Sequence, residues 1–211
     1  MKNLFIALEG IDGSGKSTQV KLLSDNLKHI GHHIYTTCEP TNSPIGAMIR
    51  SIFKHQIEAD HRTIAGLFVA DRLDHILNKR NGILYQMEQG FTVISDRYLF
   101  SSYAYQGAHI PLEWVIAANS LSAEIIQPDL TIFIDISPEI SMQRLNKGRD
   151  SLELYETLEN LKNVQEKYYE AFDILKEKQK VFIVDGNRTS GFIAEDIWKE
   201  VERLINPKLP Q

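Results

Sequence analysis

Five short runs rich in Val, Ile and Phe punctuate the chain: Leu4–Glu9, His33–Cys38, Phe91–Ser95, Leu130–Ile136 and Val181–Asp185. Runs of this length and composition predict strands. Four of them are almost continuously apolar, the pattern of strands buried on both faces of a parallel sheet. Between them the spacing turns helical. Val20, Leu23, Leu27 and Ile30 recur every three or four residues, and Leu154, Leu158, Leu161, Val164, Tyr168, Phe172 and Leu175 do so over a longer stretch. The second set leaves Glu159, Lys162, Glu166 and Lys167 for solvent. Further helices are predicted over Ile45–Phe53, Ile64–Glu88, Pro111–Ile126 and Gly191–Ile205, with Pro111 suited to a first turn and Pro128 just past an end. Strands alternating with helices predict an α/β fold of three layers, a five-stranded parallel sheet flanked by helices. Neither a repeat nor a low-complexity linker interrupts the pattern, so residues 1–211 read as one domain.

That architecture already locates a site. In open parallel sheets ligands bind beyond the carboxyl ends of the strands. The residues there are Glu9-Gly10, Cys38-Glu39-Pro40, Asp96-Arg97, Ser137-Pro138 and Asp185-Gly186. Composition narrows the ligand class. The 23 Lys and Arg against 28 Asp and Glu leave a net charge of −5, which argues against a general nucleic-acid binder. The single cysteine, Cys38, excludes an internal disulfide and fits a reducing compartment. Apolar runs such as Leu4–Leu8 are too short for a membrane span or a signal peptide. A cytoplasmic protein without a membrane partner is expected.

Directly behind the first strand, Gly10-Ile11-Asp12-Gly13-Ser14-Gly15-Lys16-Ser17 fits G-x-x-x-x-G-K-[ST], followed by Thr18 at the start of a helix. Glycines let such a loop turn successive N–H groups inward onto an anion, and the helix adds its positive N-terminal end. Lys16 is expected to reach the β- and γ-phosphates of a nucleotide, and the Ser17 hydroxyl to ligate Mg²⁺. A carboxylate at a neighbouring strand end, Asp96, can hold the same ion, and Arg97 beside it can take a phosphate bidentately. Asp12 is a third candidate for the metal. The seven histidines are scattered and form no metal set; His75 is expected to pair with Asp71, one helical turn back.

Several motifs together resemble the thymidylate kinase family, a branch of the P-loop nucleoside monophosphate kinases. They are Glu9-Gly10-x-Asp12-Gly13-x-Gly15-Lys16-Ser17-Thr18, Glu39-Pro40, Phe68-x-Ala70-Asp71-Arg72, Asp96-Arg97-Tyr98, Ser101-Ser102-x-Ala104-Tyr105-Gln106 and Pro128-Asp129-Leu130-Thr131. A short helical lid over about 141–156 completes the likeness. The resemblance implies a P-loop NTPase fold and ATP-dependent phosphorylation of dTMP to dTDP by direct phosphoryl transfer, on the route to dTTP. It implies that Phe68 stacks on thymine, that Arg72 donates to a thymine carbonyl, and that Ser102 and Gln106 meet the polar edge of the base. Tyr105 would lie near the sugar 2′ position, Arg97 and Arg50 would hold the dTMP phosphate, and Glu39 would lie close to it. A homodimer is implied as well.

One branch of the family carries an arginine inside the phosphate loop where this chain has Gly13. The resemblance therefore assigns the remaining cation to the lid, to Arg149 first and to Arg144 second, with Lys147 between them. Two other readings share the phosphate loop. In a deoxynucleoside kinase Glu39 would act as general base on a sugar hydroxyl. In a nucleotide-dependent switch, turnover would ignore any acceptor.

Overall fold

The computed structural model describes residues 2–148 and 153–206. All five predicted strands form, as β1 (Phe5–Glu9), β2 (Ile34–Cys38), β3 (Thr92–Asp96), β4 (Leu130–Asp135) and β5 (Val181–Asp185). They pair in parallel throughout, in the order β2-β3-β1-β4-β5. Burial on both faces holds for β1, β3 and β4. It does not hold for β5, which lies at an edge and leaves Ile183 46% exposed. An apolar run alone does not tell a central strand from an edge one.

Helices cover both faces. On one, α1 (Lys16–His29) and α10 (Ser190–Ile205) pack Val20, Leu23, Leu27, Ile193 and Ile197 against Ile6, Leu8, Ile132 and Ile134. On the other, α5 (Leu99–Tyr105) and α9 (Leu158–Leu175) pack Phe100, Tyr168 and Phe172 against Phe5, Val93 and Phe133. A small third cluster joins α2 (Pro44–Phe53) to α3 (His61–Leu77) through Ile49, Ile52, Ile64 and Phe68. Ile30 departs from the predicted face of α1: it lies just past the helix end and is exposed.

Two predicted helices are each broken in two. Ile64–Glu88 splits into α3 and α4 (Ile83–Glu88), because Asn78 is extended at the end of α3 and its side chain accepts from the Arg80 N–H. Pro111–Ile126 splits into α6 (Leu112–Ala118) and α7 (Ser120–Ile125) at Asn119, whose side chain is drawn to Arg72. The long helix starts at Leu158 rather than Leu154, since the Thr157 hydroxyl caps it by accepting from Asn160 N–H. Helix α5 escaped the pattern because all seven of its residues are buried, leaving no polar face to mark a period. Helix α8 (Pro138–Gly148) carries the first part of the lid-like stretch.

Candidate active site

A cavity of about 570 Å³ opens beyond the carboxyl ends of β1, β2 and β3, where the parallel sheet directs a ligand. Its walls include Lys16, Ser17, Thr18, Glu39, Arg50, Phe68, Arg72, Asp96, Arg97, Tyr105 and Gln106. Most of the residues singled out by sequence are thus brought together.

The loop after β1 is shaped by its glycines. Gly10 has a φ of 147°, and a Cβ there would fall 2.7 Å from Ser14 Oγ and 2.8 Å from the Ile134 carbonyl. Gly15 adopts a φ of 93° immediately before α1, and no side chain among the described residues caps that helix end. The first-turn N–H groups of α1 are accordingly available to an anion. Lys16 folds back over the loop, donating to the carbonyls of Gly10 (3.0 Å) and Ile11 (3.1 Å). Burial, and next the Arg97 charge, lower its ammonium pKa to about 8. Ile11 contributes backbone only, its side chain being part of the core, and Ser14 is buried.

Arg97 follows β3 in a left-handed conformation, with a φ of 72°. That backbone is disfavoured for any residue with a Cβ, and it aims the guanidinium back across the loop. Nη1 donates to the Gly10 carbonyl (3.1 Å) and Ser101 Oγ (2.9 Å), and Nη2 to Asp12 Oδ1 (2.7 Å) and the Tyr105 hydroxyl (3.2 Å). The cation also lies 4.8 Å from the centre of the Tyr105 ring. Beneath it, Glu9 is fully buried and accepts from Tyr98 N–H, Ser101 N–H, Ser101 Oγ and the Tyr168 hydroxyl. Burial pushes the Glu9 carboxyl above its ordinary range against the pull of these donors and of Arg97.

Ser17 Oγ donates to Asp96 Oδ2 at 2.7 Å, so a hydroxyl and a carboxylate converge at the mouth of the loop. Two hard oxygen donors beside a phosphate site fit a magnesium ion that draws its remaining ligands from phosphate and water. Asp12 fits less well. Its Oδ1 is taken by Arg97 and its Oδ2 by the Tyr105 hydroxyl at 2.8 Å. Arg97 counters burial and holds this carboxyl below its usual range.

At the far end, Arg72 is buried completely. Its Nε (3.0 Å) and Nη2 (2.5 Å) donate to Glu39 Oε2, Nη2 also to the Tyr98 carbonyl (3.0 Å), and Nη1 to Asn119 Oδ1. Glu39 Oε1 pairs with His75 Nδ1 at 3.0 Å. The expected His75–Asp71 pair does not form, because Asp71 accepts instead from Thr41 and Ser43. Burial pushes the Glu39 carboxyl up, but Arg72 and His75 outweigh it and keep the group below the ordinary carboxylate range. With both oxygens engaged and its basicity reduced, Glu39 is poorly suited to take a proton from a hydroxyl.

Phe68 serves two environments. It belongs to the α2–α3 cluster and also lines the cavity, its ring 5.9 Å from that of Phe53. Ser102 Oγ and Gln106 Oε1 are buried without a partner among the described residues, and Gln106 faces the cavity. Unpaired buried acceptors cost free energy unless a ligand satisfies them. Arg50 lines the wall and donates to the carbonyls of Pro40 (3.1 Å) and Thr41 (2.5 Å). From α8, Arg144 reaches Gly13 O and Gly186 O, both at 3.2 Å. Arg149 lies outside the described residues.

Sequence reasoning missed four participants. The sequence shows Tyr168 only as part of an apolar helix face, although a buried tyrosine hydroxyl needs a polar partner. Asn119 lay inside a predicted helix. For His75 the spacing suggests another partner, Asp71. Tyr155, which lines the cavity and packs edge-on against Phe53 with ring centres 5.2 Å apart, fell in the expected lid. The periodicity of the chain signals none of these roles.

Comparison with known proteins agrees with this layout. A family model described as thymidylate kinase matches residues 8–197. A probable thymidylate kinase of Caldivirga maquilingensis is 36% identical over 203 residues, covering 94% of this chain and 93% of that protein. The thymidylate kinase of Shouchella clausii is 35% identical, covering 97% of each chain. That of Caldicellulosiruptor saccharolyticus is 36% identical, covering 99% of this chain and 98% of its own.

Proposed function

Since the chain belongs to the thymidylate kinase family and phosphorylates dTMP, we propose that the γ-phosphoryl group of ATP passes directly to the dTMP phosphate within the cavity above the strand ends. The observation that carries this reading is the engagement of Glu39 by Arg72 and His75, beside an arginine pair, Arg97 and Arg50, suited to an anionic acceptor. A phosphate monoester is largely dianionic at neutral pH, its second pKa being about 6. It needs no general base. A dTMP phosphate oxygen bonds to the γ-phosphorus, the bond from that phosphorus to the bridging oxygen breaks, and ADP leaves with the electron pair.

The difficulty is bringing two anions together, so charge neutralisation and alignment supply most of the catalysis. Lys16 and the loop N–H groups bind the β- and γ-phosphates, and Arg97 spans the gap to the acceptor. Ser17 and Asp96 would hold a magnesium ion, which would supply further positive charge to the phosphates. The lid's cation is assigned to Arg149 first and to Arg144 second, and closure of the lid would exclude water and limit ATP hydrolysis. At the acceptor end, Phe68 packs on the thymine face and Arg72 donates to a carbonyl. Gln106, whose unpaired oxygen faces the cavity, accepts the single ring N–H of the base, and the Ser102 hydroxyl, which can donate, meets its polar edge. Tyr105 stands at the sugar. The enzyme is read as a cytoplasmic homodimer, for which the exposed Met48, Leu77, Trp114 and Leu121 supply apolar surface; no helix among the described residues is long and apolar enough to cross a membrane.

The reading is tested by ADP release from Mg-ATP with dTMP, thymidine, dUMP, AMP or no acceptor. Turnover selective for dTMP is expected. Turnover with thymidine in place of dTMP would return Glu39 to the role of base, and acceptor-independent release would mean a switch or an ATPase. A second expectation follows from Lys16. Its pKa of about 8 in the free site must rise when a triphosphate arrives, so binding takes up a proton above that pH. ATP affinity should be flat below about pH 7 and fall by up to tenfold per unit well above pH 8. Calorimetry in buffers of different ionisation enthalpy should register the uptake, and Lys16→Met should abolish it.

A further inference from the structure

The buried polar chain behind the acceptor end includes His75, which the transfer itself does not use. Its side chain is 4% exposed and bridges two elements. Nδ1 pairs with Glu39 Oε1 at 3.0 Å, and Nε2 with Thr37 Oγ1 at 2.7 Å. A carboxylate accepts only, so Nδ1 carries the proton, and the Thr37 hydroxyl completes the ring's hydrogen bonding.

The consequence appears in the donors of Arg72. A guanidinium has five N–H groups in a rigid plane. Here Nε–H and one Nη2–H go to Glu39 Oε2, the other Nη2–H to the Tyr98 carbonyl, and one Nη1–H to Asn119. Arg72 lines the cavity, and among the described residues a single N–H, on Nη1, is left without a partner. Its direction follows from the plane of the guanidinium, which is set in turn by the carboxylate of Glu39. Among the described residues the only hydrogen bond to Glu39 Oε1 comes from His75. Without it the carboxylate can turn about its last torsion, a soft one, and offer Arg72 either oxygen or both.

We propose that His75 is a positioning residue for base selectivity: through Glu39 it fixes the one free N–H of Arg72 so that it meets a ring carbonyl and rejects an exocyclic amine. This rests on the reading that Arg72 addresses the base. A carbonyl accepts that N–H, whereas the amine of a cytosine nucleotide presents a second donor and leaves both unpaired. Misdirecting the N–H weakens the thymine contact and relaxes the penalty on cytosine, and the ATP end is untouched.

The test compares His75→Leu, His75→Asn and Arg72→Gln in the whole enzyme, with dTMP and dCMP affinities from calorimetry and steady-state constants for dTMP and ATP. In His75→Leu the dTMP KM should rise about tenfold and the dTMP-over-dCMP affinity ratio should fall by about as much. The kcat should stay within about twofold and the ATP KM should be unchanged. The amide N–H of His75→Asn lies near the position of Nδ1 and should restore most of the ratio, which a purely space-filling role would not predict. An unchanged ratio in folded His75→Leu, or an Asn variant as impaired as the Leu one, overturns the proposal. Should the Leu variant fail to fold, Thr37→Val, which frees the far side of the ring, should shift the same ratio in the same direction, and no shift there overturns it equally. Arg72→Gln separates the two levels. If it leaves the ratio intact, the base reading falls and this inference with it; if it collapses the ratio while His75→Leu does not, the inference alone falls.

Discussion

Arg97→Ala is expected to lower kcat for dTMP phosphorylation by about a thousandfold, the scale seen when one preorganised charge at a reacting centre is removed. The side chain is only 14% exposed and is held by donations to Gly10, Ser101, Asp12 and Tyr105, so its position is set before substrate arrives. Preorganisation gives the charge its value, because no reorganisation remains to be done in the transition state. The φ of 72° provides an internal control. Alanine keeps the backbone strain at this position and glycine relieves it, a difference of about 1 kcal/mol. Arg97→Gly and Arg97→Ala should therefore lose the same kcat, with the glycine variant melting about 2–4 °C higher. Near-normal turnover by either variant would remove Arg97 from the transfer.

Glu9→Ala should be the most damaging change to stability, costing about 3–5 kcal/mol. Four donors converge on this carboxylate from Tyr98, Ser101 and Tyr168, all buried. Deleting the acceptor strands them at once and opens a void beneath Arg97. For a chain of this size the melting temperature should fall by roughly 6–20 °C. Glu9→Gln separates hydrogen bonding from charge. Its amide oxygen can still accept from the two backbone N–H groups, and its nitrogen can donate to the two hydroxyls, so stability should return to within about 1 kcal/mol. An alanine variant that melts like the parent would show that water or rearranged side chains satisfy these donors.

How much of this was readable in advance depends on the range of the interaction. The phosphate loop was legible because its chemistry is local: glycines at Gly10, Gly13 and Gly15 permit positive φ, and Lys16 and Ser17 follow at a spacing that returns them to the loop mouth. The strands were legible because an apolar run bounded by turn residues has few alternatives, and their number and order along the chain came out as expected. Helix ends were less so. At Asn78 and Asn119 a side-chain hydrogen bond stops a pattern that hydrophobic spacing would continue.

By itself, then, the sequence determined the α/β class, the five strands, the end of the sheet where a ligand must sit and the residue types gathered there, since each follows from periodicity or from short-range backbone geometry. Only the tertiary structure decided that β5 is an edge, that Asp12 is spent on Arg97 and Tyr105, that Tyr168 supports Glu9, and that Glu39 is shared between Arg72 and His75. Those partners lie far apart along the chain, and a polar side chain's role is set by which donors and acceptors the packed fold leaves within reach.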